Sequence, residues 1–426
     1  MLKLYILLIT SSVAYSQTKV LGGIYSTQAN AGVARTADAT SPFLNPAGLG
    51  EITKSSISSG ASSFSAKKTK LESSVEFNSS SNHVSYIKNM QKFNLGFMIV
   101  TEDSKFNNKI KTSSSRNSEG LPTGSTESET EKLQSNQYII AISPRESWWG
   151  LAFNLASISS TLQSSSYNQN FSNSAPDQRD YSSLNSSNSL NLLLYGISFG
   201  FKYRYESFTF GARVASPLYI FKNDSKINMS SINVSGIDSS NVTISHFNYE
   251  SKLTEKDSKF GEAKLSLGAA WQNNRWQTEF NISIMPAYQS INFKLRDDMN
   301  VGFFNSSTNT FSEDSQNINS GSDDYSKSSI SPSIGVQYRF SSFTTLGAGV
   351  SYFPTISKSD EDVNATNFTC GITQRHKNYT GTFALFYVNA EDAGGNKTWN
   401  SETQKDENVD LGYSEVGLSF SGSYFF

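Results

Sequence analysis

The chain has 426 residues, a formal net charge of -2, 17% charged residues and 13% aromatics. Charge is scarcer than in a typical soluble domain, where roughly a quarter of residues carry it, and the near-neutral balance gives no electrostatic case for binding nucleic acid. Beyond the first twenty residues no stretch is apolar enough for a membrane helix, which needs about 20 consecutive apolar residues. A membrane β-barrel stays open, because its strands hide their apolarity in alternation.

In chain order, residues 1–16 read as a signal peptide: Lys3 as the charged start, Leu4 to Val13 as the apolar stretch, and Ala14-Tyr15-Ser16 as the cleavage site. Cys370 is the single cysteine, so no internal disulfide is expected. Residues 17–51 do not alternate. They are rich in Ala and Gly, and Pro42, Pro46 and Gly48 force turns. Such small side chains suit a plug inside a barrel; a disordered tail is the alternative.

From residue 52 to 426 the dominant signal is a period of two. Tyr195, Ile197, Phe199, Phe201, Tyr203 and Tyr205 alternate with Gly196, Ser198, Gly200, Lys202 and Arg204. The last strand does the same, with Val416, Leu418, Phe420, Tyr424 and Phe426 on one face. Alternation of this kind predicts strands whose two faces meet different surroundings. The second face is mostly Gly, Ser, Asn and Gln, which fits the inside of a lipid-embedded barrel better than the charged surface of a soluble sandwich. About fourteen such segments are expected. Tight turns (Asn89 to Lys92, Pro144 to Ser147, Glu206, Asn273-Asn274, Ser341-Ser342, His376 to Asn378) alternate with long polar connections such as 103–133, 161–187, 222–259 and 292–327. Those Ser/Asn-rich connections are expected to be mobile loops. The fold expected is therefore all-β: a transmembrane antiparallel barrel over 52–426, long-looped at one end, with residues 17–51 as a plug in its lumen.

The run from Ala29-Asn30-Ala31-Gly32 through Ala37-Asp38-Ala39 to Asn45-Pro46-Ala47-Gly48-Leu49 resembles the N-terminal hatch of the FadL-type outer-membrane transporters, the long-chain fatty acid and aromatic-hydrocarbon channels. Arg213 to Leu218, with Ser216-Pro217, resembles a strand-end feature of the same family. The resemblance implies a fourteen-stranded barrel in a bacterial outer membrane, with Asn45, Pro46, Ala47 and Gly48 in the hatch. It also implies passive uptake of a hydrophobic or amphipathic small molecule and sideways exit through the wall. It makes Phe426 the aromatic terminus read by barrel-assembly machinery, and outer-membrane lipid a further partner.

No catalytic constellation stands out, and neither enzyme activity nor a cofactor or metal is expected. His83, His246 and His376 read as exposed polar residues, and acidic groups such as Asp360-Glu361-Asp362 as solvated charge. Lys202, Arg204, Arg213 and Arg339 fall on the lumen face. They would bind a substrate carboxylate or pair with acids such as Glu279. Two other functions remain: a general diffusion porin, and a non-transporting surface barrel serving as an adhesin or secretion partner.

Overall fold

The computed structural model describes residues 24–29, 31–70, 73–116, 122–172, 175–224, 226–237, 243–255, 259–260, 263–286, 293–305, 310–321, 328–354, 363–392, 396–400, 405–409 and 413–426. The signal peptide expected at 1–16 lies outside the described residues.

Strands β1 (Ser56–Lys70), β2 (Ser73–Asn89), β3 (Phe93–Arg116), β4 (Pro122–Pro144), β5 (Trp149–Ser172) and β6 (Ala175–Tyr205) form one antiparallel meander. The next stave is split into β7 (Phe208–Ala215), β8 (Leu218–Asn223) and β9 (Lys226–Ile237), all paired with β6. Its return, β10 (Thr243–Glu255), β11 (Lys259–Phe260) and β12 (Lys264–Gln272), pairs with β9, β8 and β7 in turn. The following stave is split into β13 (Trp276–Met285) and β14 (Phe293–Asn305), paired with β12 and β10, and its return into β15 (Thr310–Gly321) and β16 (Ser329–Arg339), paired with β14 and β13. Then come β17 (Thr344–Phe353), β18 (Val363–Arg375) and β19 (Tyr379–Asp392). A small hairpin, β20 (Asn396–Asn400) with β21 (Lys405–Val409), precedes the last strand, β22 (Tyr413–Phe425). β22 pairs with β19 and also with β1, from Ser56 opposite Phe425 to Ser65 opposite Val416. With each split stave counted once, this is a closed antiparallel barrel of 14 strands. Closure matters because an open edge in hydrocarbon would leave unpaired backbone groups, each costing several kcal/mol.

The expected tight turns all sit at one rim, where neighbouring turns are bonded to one another: Arg145 N donates to Lys92 O (3.0 Å), Gln272 N to Ser207 O (2.9 Å) and Arg339 N to Arg275 O (2.8 Å). Phe426 is on the same rim, its N donating to Ser55 O at 3.0 Å and its ring stacked on Tyr86.

The opposite end differs from expectation. Much of 103–133, 161–187, 222–259 and 292–327 is not loop but strand, continuing the staves far beyond the apolar belt. A Ser/Asn-rich segment has little apolar area to bury, yet here it has ladder partners on a sheet that already exists. Its backbone groups are satisfied in register, and both polar faces can meet water. Tertiary pairing overrides weak strand propensity.

The two wall faces divide as the alternation predicts. Ile197, Phe210, Leu267, Phe280, Phe368 and Phe420 point outward and are exposed. An apolar girdle of this extent far exceeds the few hundred Å² tolerated on soluble monomers, so it faces lipid.

Candidate functional site

Residues 24–29 and 31–52 lie in the bore, with a 3-10 turn (Ile24–Gln28), a short helix (Ser41–Leu44) and a second 3-10 segment (Pro46–Glu51). Pro42 sits in the first turn of the helix, where a missing N–H costs nothing. Asn45 then caps the next segment: its Oδ1 accepts from Ala47 N at 3.1 Å. The Asn45 Nδ2 donates to Val33 O (2.7 Å) and across to Phe201 O on β6 (2.9 Å). One side chain thus shapes the segment, ties it to itself and ties it to the wall. Gly48 lies against the Thr36 carbonyl so closely that a Cβ would collide with it.

The inner wall is cut to receive this backbone. Gly150 and Gly200 are cross-strand partners beneath Asn45 to Ala47. Gly211 faces Gly268 beneath Val33 and Ala34, and Gly335 faces Gly349 beneath Gln28. Side chains at these pairs would hold the segment off the wall. Glycine weakens a strand, and its placement here marks close backbone approach.

Two charged wall residues add specific ties. On β13 the buried Glu279 accepts from Ala34 N through Oε1 (2.7 Å), and its Oε2 lies 3.5 Å from Arg35 Nε. On β6 Lys202 donates to Glu51 Oε2 (2.7 Å) and to Thr36 O (3.3 Å). Toward the tight-turn rim, Asn94 Nδ2 donates to Leu49 O (2.6 Å) and Ile52 O (2.8 Å). Leu49 and Ile52 pack with Met98, Val100 and Ile139 of the wall.

Farther from that rim, the bore is lined by apolar side chains the alternation did not predict. Leu190, Leu192 and Leu194 on β6 point inward, beside Ile158 and Ala156 on β5, with Ile220 on β8. The wall is irregular there. Ser198 pairs with Ala215 and Tyr195 with Tyr219, so three steps of β6 face four of the β7–β8 stave. The extra residue falls at Ser216-Pro217. Pro217 has no N–H to give, and Ile197 N is satisfied instead by Ser216 Oγ at 3.0 Å. Outside β7 lies a lipid-facing hollow of about 510 Å³, lined by Phe210, Ala212, Leu267, Ala269 and Phe280.

The four lumen cations do not gather into one site. Lys202 is paired with Glu51, and Arg213 holds its guanidinium 5.6 Å over the Phe43 ring. Arg204 and Arg339 are exposed near the tight-turn rim. Glu279, read as a partner for these cations, has the Arg35 guanidinium 3.5 Å away and feels Lys202 at longer range. His83 is not exposed: it is 3% accessible on the inner wall beside Gly60, since a polar side chain inside a filled bore is buried without a core. His376 is exposed at a turn, and Cys370 is exposed on the outer face of β18. Asp360-Glu361-Asp362 lies outside the described residues. Sequence reasoning missed the inward leucines and the glycine pairs. Their signals were present: Leu192-Leu193-Leu194 makes both faces apolar at once, and glycines recur inside strands.

No family model and no curated protein matches the sequence. Among solved structures the chain is similar to the Pseudomonas putida toluene transporter TodX, with TM-score 0.59 and 15% identity over 96% of this chain and 99% of that one. It is similar to the Ralstonia pickettii toluene transporter TbuX, with TM-score 0.56 and 13% identity over 96% and 100%. A Pseudomonas aeruginosa FadL homologue matches with TM-score 0.53 and 11% identity over 94% and 96%. The chain has the fold of the FadL-type hydrocarbon channels.

Proposed function

We propose that this chain is a bacterial outer-membrane channel for passive uptake of hydrophobic or amphipathic small molecules, such as fatty acids or aromatic hydrocarbons. Residues 17–51 act as its hatch, with the tight-turn rim in the periplasm. One observation carries the reading: an apolar inner wall at Leu190, Leu192, Leu194 and Ile220 stands above a bore occupied by residues 24–52. A water-filled porin has no use for buried leucines in its bore, whereas a hydrophobic solute gains about 25 cal/mol per Å² of apolar surface removed from water. The solved structures of like fold include proteins described as toluene transporters, and substrates of that class fit such a lining.

In this reading solute enters from the long-hairpin end, rests on the leucine wall and leaves sideways. The irregular seam at Ser216-Pro217 supports an exit along β7, because one ladder bond there is already made by a side chain. Four residues along β7 the outer hollow around Ala212 would receive the solute into hydrocarbon. Asn45, Pro46, Ala47 and Gly48 hold the hatch, Arg213 beside Phe43 would meet a polar head, and Phe426 serves assembly.

The test is to reconstitute the protein in planar bilayers and measure uptake of a labelled monoaromatic hydrocarbon and a long-chain fatty acid by cells expressing it. Little steady conductance together with saturable uptake is expected. Large ion conductance from the moment of insertion, with no preference for apolar solutes, would replace this reading with the porin.

A further inference from the structure

The apolar belt is not equally tall around the barrel. On β6 seven successive outward positions from Leu193 to Tyr205 are apolar or aromatic, whereas on β3 only the four from Phe93 to Ile99 are, before Thr101, Asp103 and Lys105. The same change crosses five strands in register. The outward row Ser59, Val84, Ile99, Tyr138 and Leu155 is followed by Ala61, Asn82, Thr101, Asn136 and Ser157. Next come Ser63, Ser80, Asp103, Gln134 and Ser159, and then Ser65, Asn78, Lys105, Lys132 and Thr161. The last two rows line an outward hollow of about 520 Å³.

Lys105 and Lys132 are direct cross-strand partners, both exposed. Like charges opposite one another on a sheet repel, and neither ammonium has a partner among the described residues. Asp103 shares the hollow, and Glu76 stands one row further out with its Oε1 engaged by Asn78 Nδ2 at 2.9 Å. From Phe93 to Lys105 is twelve residues, or about 41 Å of strand at about 3.4 Å each. At a tilt of about 40° that is about 31 Å of height, close to the roughly 30 Å hydrocarbon core of a bilayer. The lysine pair therefore stands at the hydrocarbon boundary, with hydroxyl and amide rows beneath it where lipid tails would otherwise press.

We propose that Lys105 and Lys132, with the hydroxyls of Ser63, Ser65 and Thr161, form a site for the phosphate of a phosphorylated glycolipid of the outer leaflet. The headgroup settles into the polar hollow on the β1–β5 face. Two adjacent cations match a phosphate monoester, which carries up to two negative charges and several acceptor oxygens. Headgroup insertion also covers the polar rows that a full-height hydrocarbon layer would desolvate. The site depends on the barrel standing in a membrane and not on what the channel carries, so it can fail or hold independently of the transport reading.

The test uses the full-length protein in detergent, with native mass spectrometry of lipid adducts. The probes are bisphosphorylated lipid A, the same lipid after enzymatic dephosphorylation, and inorganic phosphate. Phosphorylated lipid A should bind the wild type at least tenfold tighter than the dephosphorylated form. The double variant K105Q/K132Q should lose that preference, while K105R/K132R and the distant control K88Q/K92Q keep it. An unchanged thermal transition certifies the fold of each variant. Wild-type preference in K105Q/K132Q, or equal binding of both lipid forms, would overturn the proposal. So would competition by inorganic phosphate at lipid-equivalent concentrations. If this face instead joins two copies of the chain, K132C in a C370S background will give a disulfide-linked dimer in membranes, and that result also overturns it.

Discussion

Asn45 makes three hydrogen bonds that serve different ends: a cap for Pro46–Glu51, a tie to Val33 and a tie to the wall at Phe201. Asn45→Ala should cost about 1 kcal/mol for the cap, and roughly as much again for each carbonyl left unpaired. Hydrogen exchange at residues 45–51 should rise while exchange in the strands stays slow; equal protection in the variant would show that Asn45 is not an anchor. Glu279 offers a charge test. Glu279→Gln keeps the acceptor for Ala34 N but leaves Arg35 without its counter-ion, and breaking a buried pair from one side costs about 3–5 kcal/mol. The double variant Glu279→Gln with Arg35→Gln should be closer to wild type in steady bilayer conductance than Glu279→Gln alone. Additive effects of the two substitutions would mean that the pair is not a latch.

At the scale of the strand, β6 shows how one residue of phase decides function. Leu193 points outward and Leu194 inward, and Leu194 is fully buried while its neighbour is partly exposed. Phe199→Arg, at the middle of the outward row of β6, should impair barrel stability or insertion by about 2–4 kcal/mol near the bilayer midplane. Leu194→Ser should leave a folded, membrane-inserted barrel and lower uptake of an apolar solute roughly tenfold, the loss of about 1.4 kcal/mol of binding. Uptake assays together with heat-modifiable migration on gels separate the two outcomes, and equal phenotypes would contradict the assigned faces. The glycine pairs belong to this scale too. Gly211 and Gly268 bring the Val33–Ala34 backbone onto the wall, and on the other side of that wall is the hollow facing lipid.

At the scale of the whole molecule, the barrel closes where Ser56 meets Phe425, and the tight-turn rim gathers both ends of the barrel wall. Deleting residues 24–51 should leave a folded barrel, because the ladders are complete without them, and should convert a nearly silent channel into one with steady ion conductance. A deletion that conducts no more than the wild type would remove the hatch from the proposal. Much of this architecture was legible in the residues themselves. Period-two alternation ending in Tyr424 and Phe426, about fourteen segments and tight turns at every second connection required a closed membrane barrel, because lipid on one side and a polar interior on the other impose that pattern locally. Residues 17–51 stood apart by their lack of alternation and by turns at Pro42, Pro46 and Gly48, and it was the resemblance of Asn45-Pro46-Ala47-Gly48 to the FadL-type hatch that pointed to the lumen. Tertiary structure alone decided the rest. Which glycines face a backbone, that Glu279 meets Ala34 and Arg35, and that Ser/Asn-rich connections extend as strands all depend on register between residues far apart in the chain. Alternation gives two faces but not which distant residue stands opposite, and in this molecule the wall contacts of Asn45 and Ala34, the leucine wall and the lysine pair are all settled by that pairing.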